Sequence, residues 1–153
     1  MRARLLPQSG LRFFTVYGPW GRPDMAYFAF TRAMLAGEPI EVFGGGALTR
    51  DFTYIDDVVD GLLAVLDRPP DEPRHRVLNI GAGHPESVAV LIETLETLLG
   101  VKAKTAARPK PASDVSGTFA DVSEIKALTG YAPKVRLAEG LGRFVAWYRD
   151  QSG

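Results

Sequence analysis

The chain has 153 residues, 46% of them apolar, with 18 Lys and Arg against 18 Asp and Glu and no cysteine. The length suits one domain, and zero net charge leaves no electrostatic footprint for nucleic acid or an anionic membrane. Without thiols there are no disulfides and no thiolate metal sites, and this fits a reducing compartment. No apolar run nears the roughly 20 residues that cross a bilayer. The start MRARLLPQSG lacks the apolar core of a signal peptide, so the expectation is a soluble, cytoplasmic protein.

In chain order, residues 11–17 predict a strand, since Phe13, Phe14, Val16 and Tyr17 favour the pleated state. Gly18-Pro19 and Gly21 end it. Residues 25–35 predict a helix with Phe28, Met34 and Leu35 on its apolar face and Gly37 as its stop. Residues 40–43 predict a short strand closed by Gly44-Gly45-Gly46, and residues 51–55 another. Asp56 or Asp57 then caps a helix whose face is Val58, Val59, Leu62, Leu63 and Leu66. A Pro-rich loop over 68–74 leads to a buried strand over 77–80. Ser87 opens a periodic helix carrying Leu91, Ile92, Leu95 and Leu99, stopped by Gly100. An edge strand over 101–106, a loop over 108–116 and a short helix over 123–128 follow. The last helix starts near Leu137, with Leu141, Phe144, Val145 and Tyr148 on one face. This alternation predicts an α/β fold with a largely parallel sheet. The strand, glycine fingerprint and helix that open a complete doubly wound nucleotide fold are missing from it.

Four stretches could carry chemistry. Asn79-Ile80-Gly81-Ala82-Gly83 imitates a dinucleotide fingerprint, but Glu86 stands where the sixth-position glycine belongs and His84-Pro85 interrupts the loop. A structural turn is the favoured reading there. Asp56 and Asp57 read as a metal or acid–base pair or, more plainly, as a helix cap and a dipole partner. Arg50 suits bidentate capture of a phosphate, and equally a salt bridge to Asp51 or Asp56. The stretch 108–121 is long enough to be a lid, but more plainly reads as a solvated loop. At the opening, Thr15 ends a strand and Arg22 lies on the turn beyond it, where α/β sheets hold their ligands. A hydroxyl and a guanidinium so placed suit a carboxylate or phosphate; the alternative is a solvated surface arginine.

Taken together, LRFFTVYGPWGRPDM, IEVFGGG, RDFTYIDDVVDGL, VLNIGAG and LAEGLGRFVAWY resemble the carboxyl-terminal half of NAD-dependent nucleotide-sugar epimerases. These belong to the extended short-chain dehydrogenase/reductase superfamily, and RFFTVYGPWGRPDM is similar to its UDP-glucuronate 4-epimerase branch. The resemblance implies late Rossmann strands and a small substrate-binding lobe over 11–153, after a non-matching leader over 1–10. It implies a UDP-sugar ligand, NAD as cofactor of the complete enzyme, and a homodimer. Thr15 and Arg22 would grip the glucuronate carboxylate, Glu41 and Phe43 would meet the uracil, and Arg50 the diphosphate. Asp114 would lie near the ribose, although Ser113 and Pro111 depart from the usual residues before it. Phe14 would lie against the nicotinamide. The family's catalytic Tyr-x-x-x-Lys pair belongs upstream, and none of the five tyrosines here has a lysine four residues on. Three readings follow: an epimerase piece, inactive alone and complemented by a separate amino-terminal half; a non-catalytic UDP-sugar-binding module or truncated remnant; or the same chemistry on another sugar. No metal, nucleic acid or membrane enters any of them.

Overall fold

A computed structural model describes residues 6–70, 75–110 and 115–151. The chain runs β1 (Gln8–Phe13), β2 (Thr15–Tyr17), α1 (Ala26–Leu35), β3 (Pro39–Phe43), a glycine 3-10 turn (Gly44–Gly46), β4 (Thr49–Arg50), β5 (Phe52–Tyr54) and α2 (Ile55–Leu66). It continues through β6 (His75–Ile80), β7 (Glu86–Ser87), α3 (Val88–Leu99), β8 (Lys104–Arg108), α4 (Ser123–Thr129) and α5 (Leu137–Gln151). β1 pairs with β6, β2 with β5 and β3 with β8, all parallel, while β4 pairs with β7 antiparallel.

The expected strand over 11–17 is longer and broken. It starts at Gln8, opposite His75, and divides at Phe14. The Phe14 amide still donates to the Ile80 carbonyl at 3.3 Å, but the next amide, Thr15, donates to the Asp51 carbonyl at 3.0 Å. One continuous apolar stretch thus changes partners from β6 to the segment leading into β5. The edge strand expected over 101–106 forms instead at β8, in register with β3 from Pro39–Lys104 to Phe43–Arg108.

Two apolar clusters hold the elements. The larger lies among α1, α3, α5 and the strands β2, β3 and β5, around Tyr17, Tyr27, Leu91, Leu95, Leu141 and Phe144. Its aromatic rings meet mostly edge to face, as between Tyr27 and Phe144 at 4.8 Å. α3 builds its share as its periodicity predicts: Leu91, Ile92, Leu95 and Leu99 are buried, Ser87 accepts from the Val90 amide, and Gly100 closes the helix left-handed. The smaller cluster packs α2 and α4 on β6 through Val58, Val65, Leu78, Ile80, Ile125 and Tyr131.

α2 differs from expectation in two ways. Neither aspartate caps it: Tyr54 is the capping residue, and both acids lie in the first turn. Asp57 is buried and accepts the Lys134 and Val135 amides at 2.9 and 3.0 Å, so it anchors the lead-in to α5. The buried face is Asp57, Val58, Gly61 and Val65. Val59, Leu62, Leu63 and Leu66 point outward. Gly61 permits the close packing of this face, because a β-carbon there would stand 2.9 Å from the Tyr131 ring.

Candidate functional site

Between α1 and β3 lies a cavity of about 630 Å³, with Thr15, Glu41, Phe43 and Arg50 in its wall. Each reaches it for a local reason. Strand alternation buries Ile40 and Val42 and turns Glu41 and Phe43 to the other face. Thr15 begins β2 where the chain leaves β6. Arg50 ends β4, where its guanidinium donates to the carbonyls of Thr49 at 2.9 Å and Val115 at 3.2 Å. Phe30 and Tyr27 of α1 form the apolar side, and burial pushes the Tyr27 hydroxyl above its ordinary titration range. The wall is therefore an apolar surface with a few polar groups at defined points, the usual make-up of a small-molecule site.

Arg22 stands on the turn after β2. Its guanidinium grips Asp24 in a fork, Nε to Oδ1 at 3.1 Å and the second nitrogen to Oδ2 at 2.5 Å. Asp24 itself lines the cavity. The hydrogen bond from Arg22 holds the Asp24 carboxyl below the usual range. The preceding Trp20 adopts a left-handed backbone, φ 60°, rare for a bulky residue, and rests its ring 5.3 Å from Trp147 of α5.

Glu41 and Lys110 take definite places. Glu41 accepts both Nε and a terminal nitrogen of Arg108 at 3.0 and 2.7 Å across the β3–β8 pair. Lys110 reaches the Ser116 hydroxyl at 2.6 Å. Phe14 is half-buried at the β1–β2 break and is not part of the cavity wall. Asp114 lies outside the described residues. Asp56 and Asp57 separate: the first is exposed and pairs with Arg143 at 3.2 Å, the second is buried among backbone amides.

The glycine turn after β6 answers the fingerprint question. Its Ala82 and Gly83 amides donate to the carboxylate of Asp51 at 2.7 and 3.0 Å. The anion in this glycine nest is one of the protein's own side chains. These amides do not fit a dinucleotide pyrophosphate, because Asp51 already occupies them.

A model of the "NAD dependent epimerase/dehydratase family" matches residues 3–81. The chain belongs to this family. A probable UDP-glucuronate 4-epimerase of Rhizobium meliloti is 43% identical over 163 residues, covering 96% of this chain and 48% of that protein. The UDP-glucuronic acid 4-epimerase of Bacillus cereus, solved with UDP-glucuronic acid and NAD, superposes with a TM-score of 0.85 at 37% identity, over 92% of this chain and 45% of its own. MoeE5, also solved with UDP-glucuronic acid and NAD, gives a TM-score of 0.86 at 38% identity, over 94% and 47%. The chain spans about half the length of the curated relatives it matches, and corresponds to their carboxyl-terminal half. Its fold is accordingly the late Rossmann strands plus the small lobe of an extended short-chain dehydrogenase/reductase. The family is NAD-dependent. Among the described residues, no helix is long and apolar enough to cross a membrane.

Sequence reasoning missed Asp24, Phe30 and the cavity face of α1. It also weighed Asp51 only as a partner for Arg50. The signals were present: Asp24 follows Arg22 by two residues across a proline, and Asp51 directly precedes the uncharged strand residues Phe52, Thr53 and Tyr54, which the structure buries with it.

Proposed function

We propose that the chain is the UDP-sugar-holding portion of an NAD-dependent UDP-glucuronate 4-epimerase. The observation that carries this reading is the single cavity wall shared by Thr15, Glu41, Phe43 and Arg50, with Asp24 holding Arg22 beside it. Arg50 takes the diphosphate through charge-assisted hydrogen bonds, and Glu41 and Phe43 flank the uracil. Asp114 is assigned to the ribose and Phe14 to the nicotinamide side, both on sequence alone.

The overall reaction removes a hydride from sugar C4, turns the 4-keto sugar and returns the hydride to the other face. When bound, NAD supplies the hydride acceptor and donor. In glucuronate the transient ketone is β to a carboxylate, so CO2 is lost readily once the breaking bond aligns with the carbonyl π system. The task of Thr15 and Arg22 is to hold that carboxylate out of alignment. The tyrosine base and its lysine belong to an amino-terminal half, supplied in the same polypeptide or by a separate one, and the complete enzyme is a homodimer.

A non-catalytic UDP-sugar module is the second reading, since the cavity wall alone is enough to hold a UDP-sugar. Calorimetry of the chain with UDP, UDP-glucuronate, UDP-glucose and NAD tests the common core of both. Binding of UDP, with UDP-glucuronate preferred over UDP-glucose by roughly tenfold, supports the assignment. Equal affinity for the two sugars removes the carboxylate grip, and failure to bind UDP removes the site.

A further inference from the structure

Asp51 is fully buried, and among the described residues its carboxylate accepts from backbone amides and a hydroxyl rather than from a lysine or arginine. Oδ1 accepts from the Ala82 amide at 2.7 Å and the Thr53 hydroxyl at 3.2 Å. Oδ2 accepts from the Gly83 and Ala120 amides, each at 3.0 Å. The backbone is equally engaged. The Asp51 amide donates to the Thr118 hydroxyl at 3.2 Å, and its carbonyl accepts the Thr15 amide at 3.0 Å. One residue thus joins the start of β2, the turn after β6 and the segment before α4.

We propose that Asp51 is a positioning residue that sets Arg50 and Thr15 in the cavity wall, an inference that rests on the UDP-sugar reading of that cavity. The geometry is direct. Arg50 lies between Thr49 and Asp51, and both are fastened to the same strip of chain: the Thr49 amide to the Ser116 carbonyl at 3.1 Å, the Thr118 amide to the Thr49 carbonyl at 3.2 Å, and Asp51 to Thr118 and Ala120. With its neighbours fixed on both sides, the Arg50 backbone has one orientation to offer. Thr15 depends on Asp51 through its own amide. The partnership also explains a glycine: a β-carbon at Gly81 would stand 2.2 Å from that of Ala120 and 3.2 Å from Asp51 Oδ1. The glycines after β6 therefore let the chain close around this carboxylate.

The chemistry of the group matters as much as its shape. A carboxylate offers acceptors on both oxygens to these four donors. In Asp51→Asn one side would present NH2 to N–H groups, an arrangement that cannot be satisfied. A purely structural carboxylate provides the control. Asp57, also buried, accepts two amides near α5, and neither it nor those two partners line the cavity.

The test compares D51N, D57N, R50A and R50A/D51N by UDP calorimetry, thermal melting and amide hydrogen exchange of the unliganded chain. Both Asn variants should lower Tm. D51N should weaken UDP roughly tenfold, while D57N stays within about twofold. In the R50A background D51N should add less than about twofold, because it acts through Arg50. Exchange should accelerate at Thr15, Ala82, Gly83 and Ala120 in D51N and not in D57N. Equal UDP losses in D51N and D57N, or full additivity with R50A, overturn the proposal. If the wild-type chain binds no UDP, the functional reading fails, and exchange alone decides this one: an unchanged Thr15 amide in D51N refutes it. If D51N does not fold, Thr53→Val removes one donor and should show the same pattern at smaller size.

Discussion

Arg50→Ala is the perturbation that most directly weighs the cavity assignment. A charge-assisted hydrogen bond to a phosphate contributes about 1.5–3 kcal/mol, which corresponds to roughly a ten- to 150-fold loss of affinity. The side chain is half-buried and donates to the carbonyls of Thr49 and Val115. Truncation leaves those carbonyls intact, and the Thr49 carbonyl keeps the Thr118 amide at 3.2 Å. Stability should therefore barely move, by less than about 1 kcal/mol or 2–4 °C in Tm. Because the diphosphate is common to both ligands, UDP and UDP-glucuronate should weaken by the same factor. Arg22→Ala is the counterpart. It should leave UDP unchanged and weaken UDP-glucuronate alone, by roughly tenfold or less, since the sugar carboxylate must first displace Asp24 from the exposed fork. Calorimetry of the wild type and the two variants with the two ligands decides the matter. A loss of UDP affinity below about threefold in Arg50→Ala, or equal UDP losses in both variants, refutes the reasoning.

Three further outcomes are expected. The pure 153-residue chain, given NAD and UDP-glucuronate, should form no UDP-galacturonate, because general acid–base catalysis needs its tyrosine; product chromatography checks this, and turnover would contradict it. Gly140→Ala should destabilise the fold by about 1–3 kcal/mol or more, since the new β-carbon would stand 2.2 Å from the Tyr17 hydroxyl and 2.7 Å from the Tyr54 ring; a melting temperature equal to wild type would show that α5 yields freely. Burial raises the hydroxyls of Tyr17, Tyr27, Tyr54 and Tyr131 above the ordinary value of 10.0. The unfolded chain gives up these protons first, so their contribution is complete below about pH 10 and lost as pH rises through the folded values. Tm should hold between about pH 7 and 9 and fall above about 10, and Tyr131→Phe should soften that fall.

Much of the candidate site was legible because its residues sit in long ordered motifs. Thr15, Arg22, Glu41, Phe43 and Arg50 were nominated from three such stretches, and four of them meet in one cavity wall. Asp24 and Phe30 were not, because a helix face is assigned by periodicity, and periodicity does not say whether a face meets a core or a cavity. Asp51 was overlooked for a related reason. Its donors come from residues 82, 83 and 120, distant in sequence, and no local pattern announces them.

The sequence by itself determined most of the longer elements, the helix ending at Gly100, the capping by Ser87, the α/β class and the family. Those depend on local backbone preferences and on motif order, which are written along the chain. Only the tertiary structure decided the rest. It broke the first strand at Phe14, because the next amide finds Asp51 rather than β6. It turned the leucine face of α2 outward and packed Gly61 against Tyr131 instead. It placed a buried carboxylate in a glycine nest that reads, on paper, as a phosphate site. Each of these turns on which distant donor or ring reaches a group first, and that competition exists only once the chain has closed on itself.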